Sequence, residues 1–425
     1  MNTMKSLVSS IAIACAVFGA AHNFASAAEC SGTIRVLAQP RDGLTLLEKY
    51  KDEFSKLSGG ADFQIDYLNE NDRRAKTKAD ASTIGKYNVY YIDEANVALF
   101  ASSGWVAPLT DYYPKDYDYS DFDPGRQKVA TFDGKVWFAP LTGGGDLMVY
   151  RKDLLEAAGI QPPKTLDEYV AAVKKLNQPD KGIYGTALRG QRGSGANVWR
   201  WMPFFKGFGG QWFDGKTPVF DGDPAVKATQ TYLELFKYSA PGSQTGGWDE
   251  AVGAFTSGQV AMLIESTPLV GMALDKKSSQ VADKIGYAPP PTPLTGGGYG
   301  HGLAIGTKAN KNDASKQCAG LFIAWATSKE NEQRRLEEGQ FSELNRTSVM
   351  TSQKFADMYG AALGQALAET GKVTAVNFWQ SPQWPDLGDR WGIILEELIT
   401  GTRTDIKGGL DELNGFAKEL AARSQ

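Results

Sequence analysis

Histidine is almost missing from this chain: two occur in 425 residues, His22 and His301. Cysteine is nearly as scarce, with only Cys15, Cys30 and Cys318. Zinc centres that need several His or Cys ligands cannot be assembled from such a set. A nucleophilic triad would have to use His301, and no Gly-x-Ser-x-Gly elbow occurs anywhere. Basic tracts are lacking too: 49 acidic residues face 45 basic ones, which argues against nucleic acid and anionic membrane surfaces as partners. There is no internal repeat and no low-complexity segment. The one long apolar stretch, residues 7–21, is interrupted by Ser9 and Ser10 and is shorter than the roughly 20 residues a spanning helix requires. Neither a catalytic residue nor a metal nor a cofactor is expected.

What is present at the start of the chain is a secretory signal. Lys5 precedes the apolar stretch, and Ala25-Ser26-Ala27 offers a small-x-small cleavage site. Residues 1–27 are therefore expected to be removed on export, leaving a chain from Ala28 to Gln425. Without Lys5 the balance is 44 basic against 49 acidic residues. A chain near 400 residues exceeds what one hydrophobic core supports, so two domains are expected. Two cysteines remain after cleavage, and an isolated pair in an oxidising compartment is expected to form a disulfide, Cys30 to Cys318.

Strand-like and helical patterns alternate along the chain, which predicts an α/β fold. Residues 33–38, 63–68 and 87–92 read as strands, with helices over 44–57 and around Arg73, Arg74 and Lys76. Polar residues follow the strand ends: Gln39 and Arg41, then Asn69, then Asp93 and Glu94. Open α/β sheets bind ligands at such positions. Further on, residues 135–140 read as a strand, Gly143 to Gly145 as a turn and residues 147–150 as a second strand. A helix over 152–158 is stopped by Gly159 in a left-handed cap, and Thr165 with Glu168 forms a capping box for the next helix. Residues 210–217 match the phosphate-loop spacing GxxxxGK[ST], but the following Pro218-Val219-Phe220 reads as a strand, not the helix that such a loop needs. A hairpin turning at Asp214-Gly215 fits better. Asp116, Asp118, Asp121 and Asp123 lack the glycine and final glutamate of a calcium loop in register and read as a solvated loop.

The pattern Tyr150-x-x-Asp153-Leu154-x-x-x-Ala158-Gly159, followed by Pro162-Pro163-Lys164-Thr165 and a helix, resembles family 1 extracellular solute-binding proteins of ABC importers. Residues 88–93, 100–109, 132–140 and 254–264 resemble further segments of that family in the expected order. Arg151 stands where the family has Asn or Asp. The resemblance implies a two-lobed periplasmic binding fold of type II-like topology, with hinge strands and a cleft between the lobes. It implies a first lobe from 28–139 plus 264–327 and a second from 140–263 plus 328–425, with C-terminal helices packing across the hinge. It also places the helix bearing Cys318 in the same lobe as Cys30.

From these readings come the candidate ligand-binding residues. Gln39, Arg41, Asn69, Asp93 and Glu94 are expected from the first lobe, and Thr142, Gly145, Trp201 and Arg346 from the second, with Glu265 near a hinge. Trp248 and Trp384 stand in turn-like contexts where an indole can stack on the C–H face of a sugar; for any one of these tryptophans, core packing is the competing reading. Tyr299 and His301 lie in a glycine-rich segment, 296–302, read as a loop entering a strand. Arg346 offers a five-donor fork, with an intralobe ion pair as the alternative. The implied function is capture of a sugar, glycoside or sugar alcohol by a monomer, which a membrane permease then receives after hinge closure. Two alternatives stand beside it. One is a secreted glycosidase or lyase using carboxylates such as Asp93, Glu94, Asp249, Glu250 and Glu265. The other is a binder of an anionic sugar held by Arg346 or Arg41.

Overall fold

The computed structural model describes residues 30–40, 42–193, 196–338 and 344–423. The expected signal segment and the candidate Arg41 lie outside the described residues. The first three strands, β1 (Thr33–Ala38), β2 (Asp62–Tyr67) and β3 (Val89–Asp93), pair in parallel with β1 in the middle. Parallel neighbours need crossovers, and α1 (Glu70–Ser82), capped by Asn69 Oδ1 on the Asp72 amide, supplies the one between β2 and β3. Both sheet faces are buried, as the alternation along β1 requires: Val36 and Ala38 join one apolar cluster with Phe54, Phe63 and Phe322, whereas Leu37 joins another with Tyr90, Ile92 and Phe138. Cys30 and Cys318 are joined by a disulfide that pins the start of β1 to the helix Asp313–Ala326.

Two long strands connect the halves of the molecule. Strand β4 (Ala139–Arg151) pairs through residues 139–145 with β7 (Gly296–Gly306), and through 146–151 with β5 (Met262–Ser266) and β6 (Ile285–Ala288). Strand β7 in turn pairs with β3. The sheet order β5-β4-β7-β3-β1-β2 is thus continuous from one lobe to the other. Gly143 to Gly145 and residues 296–302 were expected to be a turn and a loop; both are extended and hydrogen-bonded to each other. Glycine is needed there for close approach, not for turning. A Cβ on Gly144 would sit 1.7 Å from Thr267 Oγ1, and one on Gly302 would sit 2.1 Å from the Ala139 carbonyl oxygen.

The second lobe has two clusters on opposite faces of β4 and β5. Met148 points into one with α2 (Val198–Gly207) and the C-terminal helices α3 (Trp384–Thr400) and α4 (Ile406–Arg423). Leu147 and Val149 point into the other. Residues 264–294 are expected in the first lobe, yet Leu269, Val270, Ala273, Val281 and Ile285 share one apolar cluster with Leu147 and Val149. The chain returns to the first lobe only along β7, because β5 and β6 flank β4 on its second-lobe half. It leaves again after residue 326: Arg334 pairs with Glu53 of the first lobe at 3.0 Å, while Leu336 packs in the second. Ala95 is the first-lobe residue in the cluster that holds the C-terminal helices.

Candidate functional site

Between the lobes lies a cavity of 270 Å³. The first lobe supplies Gln39 and Pro40 after β1, Asn69, Glu70 and Arg74 from the start of α1, and Glu94 after β3. The second supplies Arg189, Trp199 and Arg200 on or before α2, Trp248 and Asp249 at the head of the helix Trp248–Thr256, and Ser266 at the end of β5 with Pro268 beyond it. The hinge strands add Thr142 and Gly143 from β4 and Tyr299 and His301 from β7. Strand termini and helix starts meet here because the sheet turns over at the hinge, so side chains beyond its strand ends converge.

Charge is the dominant feature of this cavity, and it is organised in two sets. In the first lobe Arg73 donates to both oxygens of Asp93, at 3.0 and 2.7 Å, and to the Tyr91 carbonyl. Arg74 donates to the same carboxylate from Nε at 3.1 Å and pairs with Glu70 at 2.6 Å. Burial alone would raise the Asp93 carboxyl, but the two guanidiniums, with His301 beside it, hold it well below the usual carboxylate range. Arg74 does the same, to a lesser degree, for Glu70. His301 Nδ1 approaches Asp93 Oδ1 to 2.8 Å and Glu94 Oε2 to 3.2 Å. Glu94 is buried with that oxygen unbonded, and burial pushes its carboxyl up.

In the second lobe Arg189 forms a two-point pair with Glu265, at 2.8 and 2.5 Å. Arg200 donates to Asp146 and to the Tyr299 hydroxyl and lies 3.5 Å from Glu265. Asp146 also accepts the Gly297 amide at 2.8 Å. Burial raises the Asp146 carboxyl against the pull of Arg200, whereas Arg189 and Arg200 outweigh burial at Glu265 and bring it down. Four arginines thus meet four carboxylates: Glu70, Asp93, Asp146 and Glu265. Glu94 and Asp249 add further carboxylates to the wall, so acid exceeds fixed cation around the cavity.

Aromatic rings complete the enclosure. Trp199 stands edge-on to Tyr299 with ring centroids 5.6 Å apart, and Trp248 Nε1 donates to Ser266 Oγ at 3.0 Å.

Among the residues expected at the site, Gln39, Asn69, Glu94, Thr142, Trp248, Tyr299 and His301 line this cavity. Asp93 and Glu265 stand behind it, as the carboxylates that hold Arg74, Arg189 and Arg200. Gly145 lines a neighbouring cavity. Trp201 is in the second-lobe core, stacked on Phe205 at 4.9 Å and bonded through Nε1 to Thr229. Trp384 is core as well, packed edge-on to Trp212. Arg346 is buried and lines neither the cleft nor the neighbouring cavity: it donates to the Thr327 and Asp118 carbonyls and pairs with Asp121, bracing residues 118–121. Arg74, Arg189, Trp199 and Arg200 were missed. Trp199 and Trp201 are two residues apart on a helix, about 200° around its axis, so one faces the cleft and the other the core. Which one does so is decided by the phase of α2, and a pairwise motif carries no such information.

Residues 38–333 match the family model of the bacterial extracellular solute-binding proteins. The mannitol-binding protein of Pseudomonas aeruginosa is 32% identical over 61% of this chain, a stretch that spans 61% of that protein's length. A solute-binding protein of an ABC transporter from Agrobacterium vitis, solved with bound D-mannitol, has 27% identity and a TM-score of 0.81, covering 93% of this chain and 99% of that one. Another from Agrobacterium radiobacter, in complex with ribitol, has 26% identity and a TM-score of 0.83, covering 92% and 99%. With its two lobes, hinge strands and interlobe cavity, this chain belongs to the bacterial extracellular solute-binding proteins.

Proposed function

We propose that this protein captures a small neutral polyhydroxy molecule, an acyclic sugar alcohol first and a monosaccharide second, for an ABC importer. The observation that carries this reading is that the four cleft arginines are already neutralised by four carboxylates, three of them buried. An anionic sugar would need a cation not already paired, and it would meet Glu94 and Asp249 instead. A hydroxyl-rich neutral ligand suits the same wall, since each hydroxyl donates to a carboxylate and accepts from a guanidinium. Arg346, the anchor considered for a sugar acid, is buried and already paired with Asp121. Size points the same way. Drug-sized ligands occupy cavities of roughly 300–1,000 Å³, and 270 Å³ suits a ligand of four to six carbons rather than an oligosaccharide. The mannitol and ribitol named for the relatives above fit this class.

Capture proceeds by closure of the lobes about β4 and β7, because a ligand touching both shifts the equilibrium toward the form it binds better. The closed monomer is then read by the membrane permease, and no bond of the ligand is made or broken. Export to the periplasm is directed by residues 1–27, with cleavage after Ala27, so N-terminal sequencing of the exported protein should begin at Ala28. The functional test is calorimetry on ligand-stripped mature protein with mannitol, ribitol, erythritol, glucose, gluconate and glucuronate. Polyols are expected to bind most tightly, with no product after incubation. Tighter binding of gluconate or glucuronate, or turnover of any sugar, would overturn the reading.

A further inference from the structure

A second cavity, of 490 Å³, shares Gly143 and Tyr299 with the cleft and is otherwise built from different residues. One wall comes from the short helix Pro124–Val129 of the first lobe, the other from Thr347–Met350 and Ala361–Val373 of the second. Its lining is divided by chemistry. Met350, Phe355, Leu367 and Val376 are its larger apolar members, and Arg126, Thr370 and Thr374 are polar ones.

Arg126 is the unusual member. It is only 9% exposed, its Nη1 donates to the neutral Asn345 Oδ1 at 2.9 Å, and its Nε has no partner. No carboxylate lies within ion-pair distance of it among the described residues, in contrast to the cleft arginines. Burial accordingly pulls its guanidinium below the ordinary value, against the more distant Asp123 and Glu332. A buried guanidinium left without a counter-ion is costly. The arrangement is also protected by sequence: a Cβ on Gly143 would sit 2.1 Å from Arg126 Nη1. Thr370 Oγ1 is a second buried polar atom in this wall with no partner.

We propose that this cavity is a second small-molecule site, which takes an organic monocarboxylate with a short aliphatic tail. The carboxylate is received by Arg126 with help from the threonine hydroxyls, and the tail lies against Met350, Phe355 and Leu367. Such an occupant touches both lobes and abuts Gly143 and Tyr299, the residues that a cleft ligand meets from the other side. Arg126 supplies the counter-charge requirement and the apolar wall the preference for a tail, so neither inorganic phosphate nor an alcohol satisfies the site fully.

The test is calorimetry of the ligand-free mature protein with hexanoate, 1-hexanol and inorganic phosphate. Hexanoate is expected to bind once per chain, at least tenfold more tightly than hexanol or phosphate. Arg126→Gln should weaken hexanoate at least tenfold. Gly364→Leu fills the cavity without disturbing the fold, because Gly364 lines it within a helix and a Cβ there meets nothing within 4 Å; it should abolish hexanoate binding and leave polyol binding intact. No hexanoate binding, equal binding of hexanol, or unchanged binding in Gly364→Leu would each overturn the proposal. Because the cleft is left empty in these titrations, their outcome does not depend on which polyol it holds.

Discussion

Replacing Arg200 with methionine tests whether the cleft charges are a preorganised network. The side chain is 4% exposed, and its removal leaves Asp146 fully buried with Glu265 alongside. Breaking a buried pair by deleting one partner costs about 3–5 kcal/mol. Here Asp146 retains the Gly297 amide and the Tyr299 hydroxyl, and Glu265 retains Arg189, which places Arg200→Met near the lower end, about 3 kcal/mol. Asp146→Asn should cost a similar amount, since it strands the guanidinium. The double variant should lose far less than the sum, with a coupling of about 2–3 kcal/mol. The pH dependence has a definite sign. Burial already raises Asp146 in the native protein, and Arg200 opposes the rise. Without Arg200 the folded carboxyl holds a proton that the unfolded one has released, so the variant loses further stability as pH rises from 5 to 8. Urea unfolding of the ligand-free proteins measures all three quantities. Additive single costs, or a deficit for Arg200→Met that is the same at pH 5 and pH 8, would refute the network.

The two tryptophans of α2 should separate cleanly. Trp201→Ala is expected to cost about 3–5 kcal/mol in urea unfolding while polyol affinity of the folded protein stays within a few-fold. Trp199→Ala should weaken affinity by calorimetry at least tenfold with a smaller loss of stability. Acid titration by circular dichroism should show a steep loss below about pH 4. Asp93, held low by Arg73 and Arg74 against its burial, contributes stability that is present above the unfolded carboxylate value of about 3.9 and is lost as pH falls through the folded value. Arg73→Met should flatten that loss. Replacing both Cys30 and Cys318 with serine should lower the unfolding free energy by about 2–4 kcal/mol, with polyol affinity in calorimetry unchanged.

Local rules carried the sequence reading where a single element decides the outcome. Gly159 adopts a left-handed cap, Thr165 and Glu168 form their box, and Phe213 to Pro218 make a hairpin around Gly215. These features depend on a few adjacent residues and were therefore legible. Gly143 to Gly145 was misread as a turn because three glycines signal backbone freedom without saying how it is used. In the fold they are extended, and they are small because Arg126, Thr267 and β7 come close. The packing of residues 264–294 with Leu147 and Val149 was not legible for a related reason: an apolar strand such as β5 fits either lobe until its partner is known. The α/β rule pointed to polar residues just past strand ends, and Gln39, Asn69 and Glu94 among them line the cavity. Arg189 and Arg200 were not, because their role depends on Glu265 and Asp146, 76 and 54 residues away.

On the function proposed above, that long-range pairing is what would let a wall of full charges select an uncharged ligand. Isolated ionic groups in a cleft would be hydrated and mobile, and each would have to be stripped of water when ligand arrived. A guanidinium already fixed to a buried carboxylate has met most of that cost during folding, and its remaining N–H donors hold their directions. Ligand hydroxyls then meet donors and acceptors at preset positions, and affinity rises because little ordering is left to be done. The same rigidity supplies discrimination. A molecule lacking one hydroxyl leaves an N–H donor or a carboxylate oxygen without its hydrogen bond inside the closed cleft, a penalty larger than the lost hydrogen bond itself. Deoxy analogues of the preferred polyol should therefore lose affinity more steeply than chain-shortened ones that leave room for water, an order that a loosely solvated cleft would not produce.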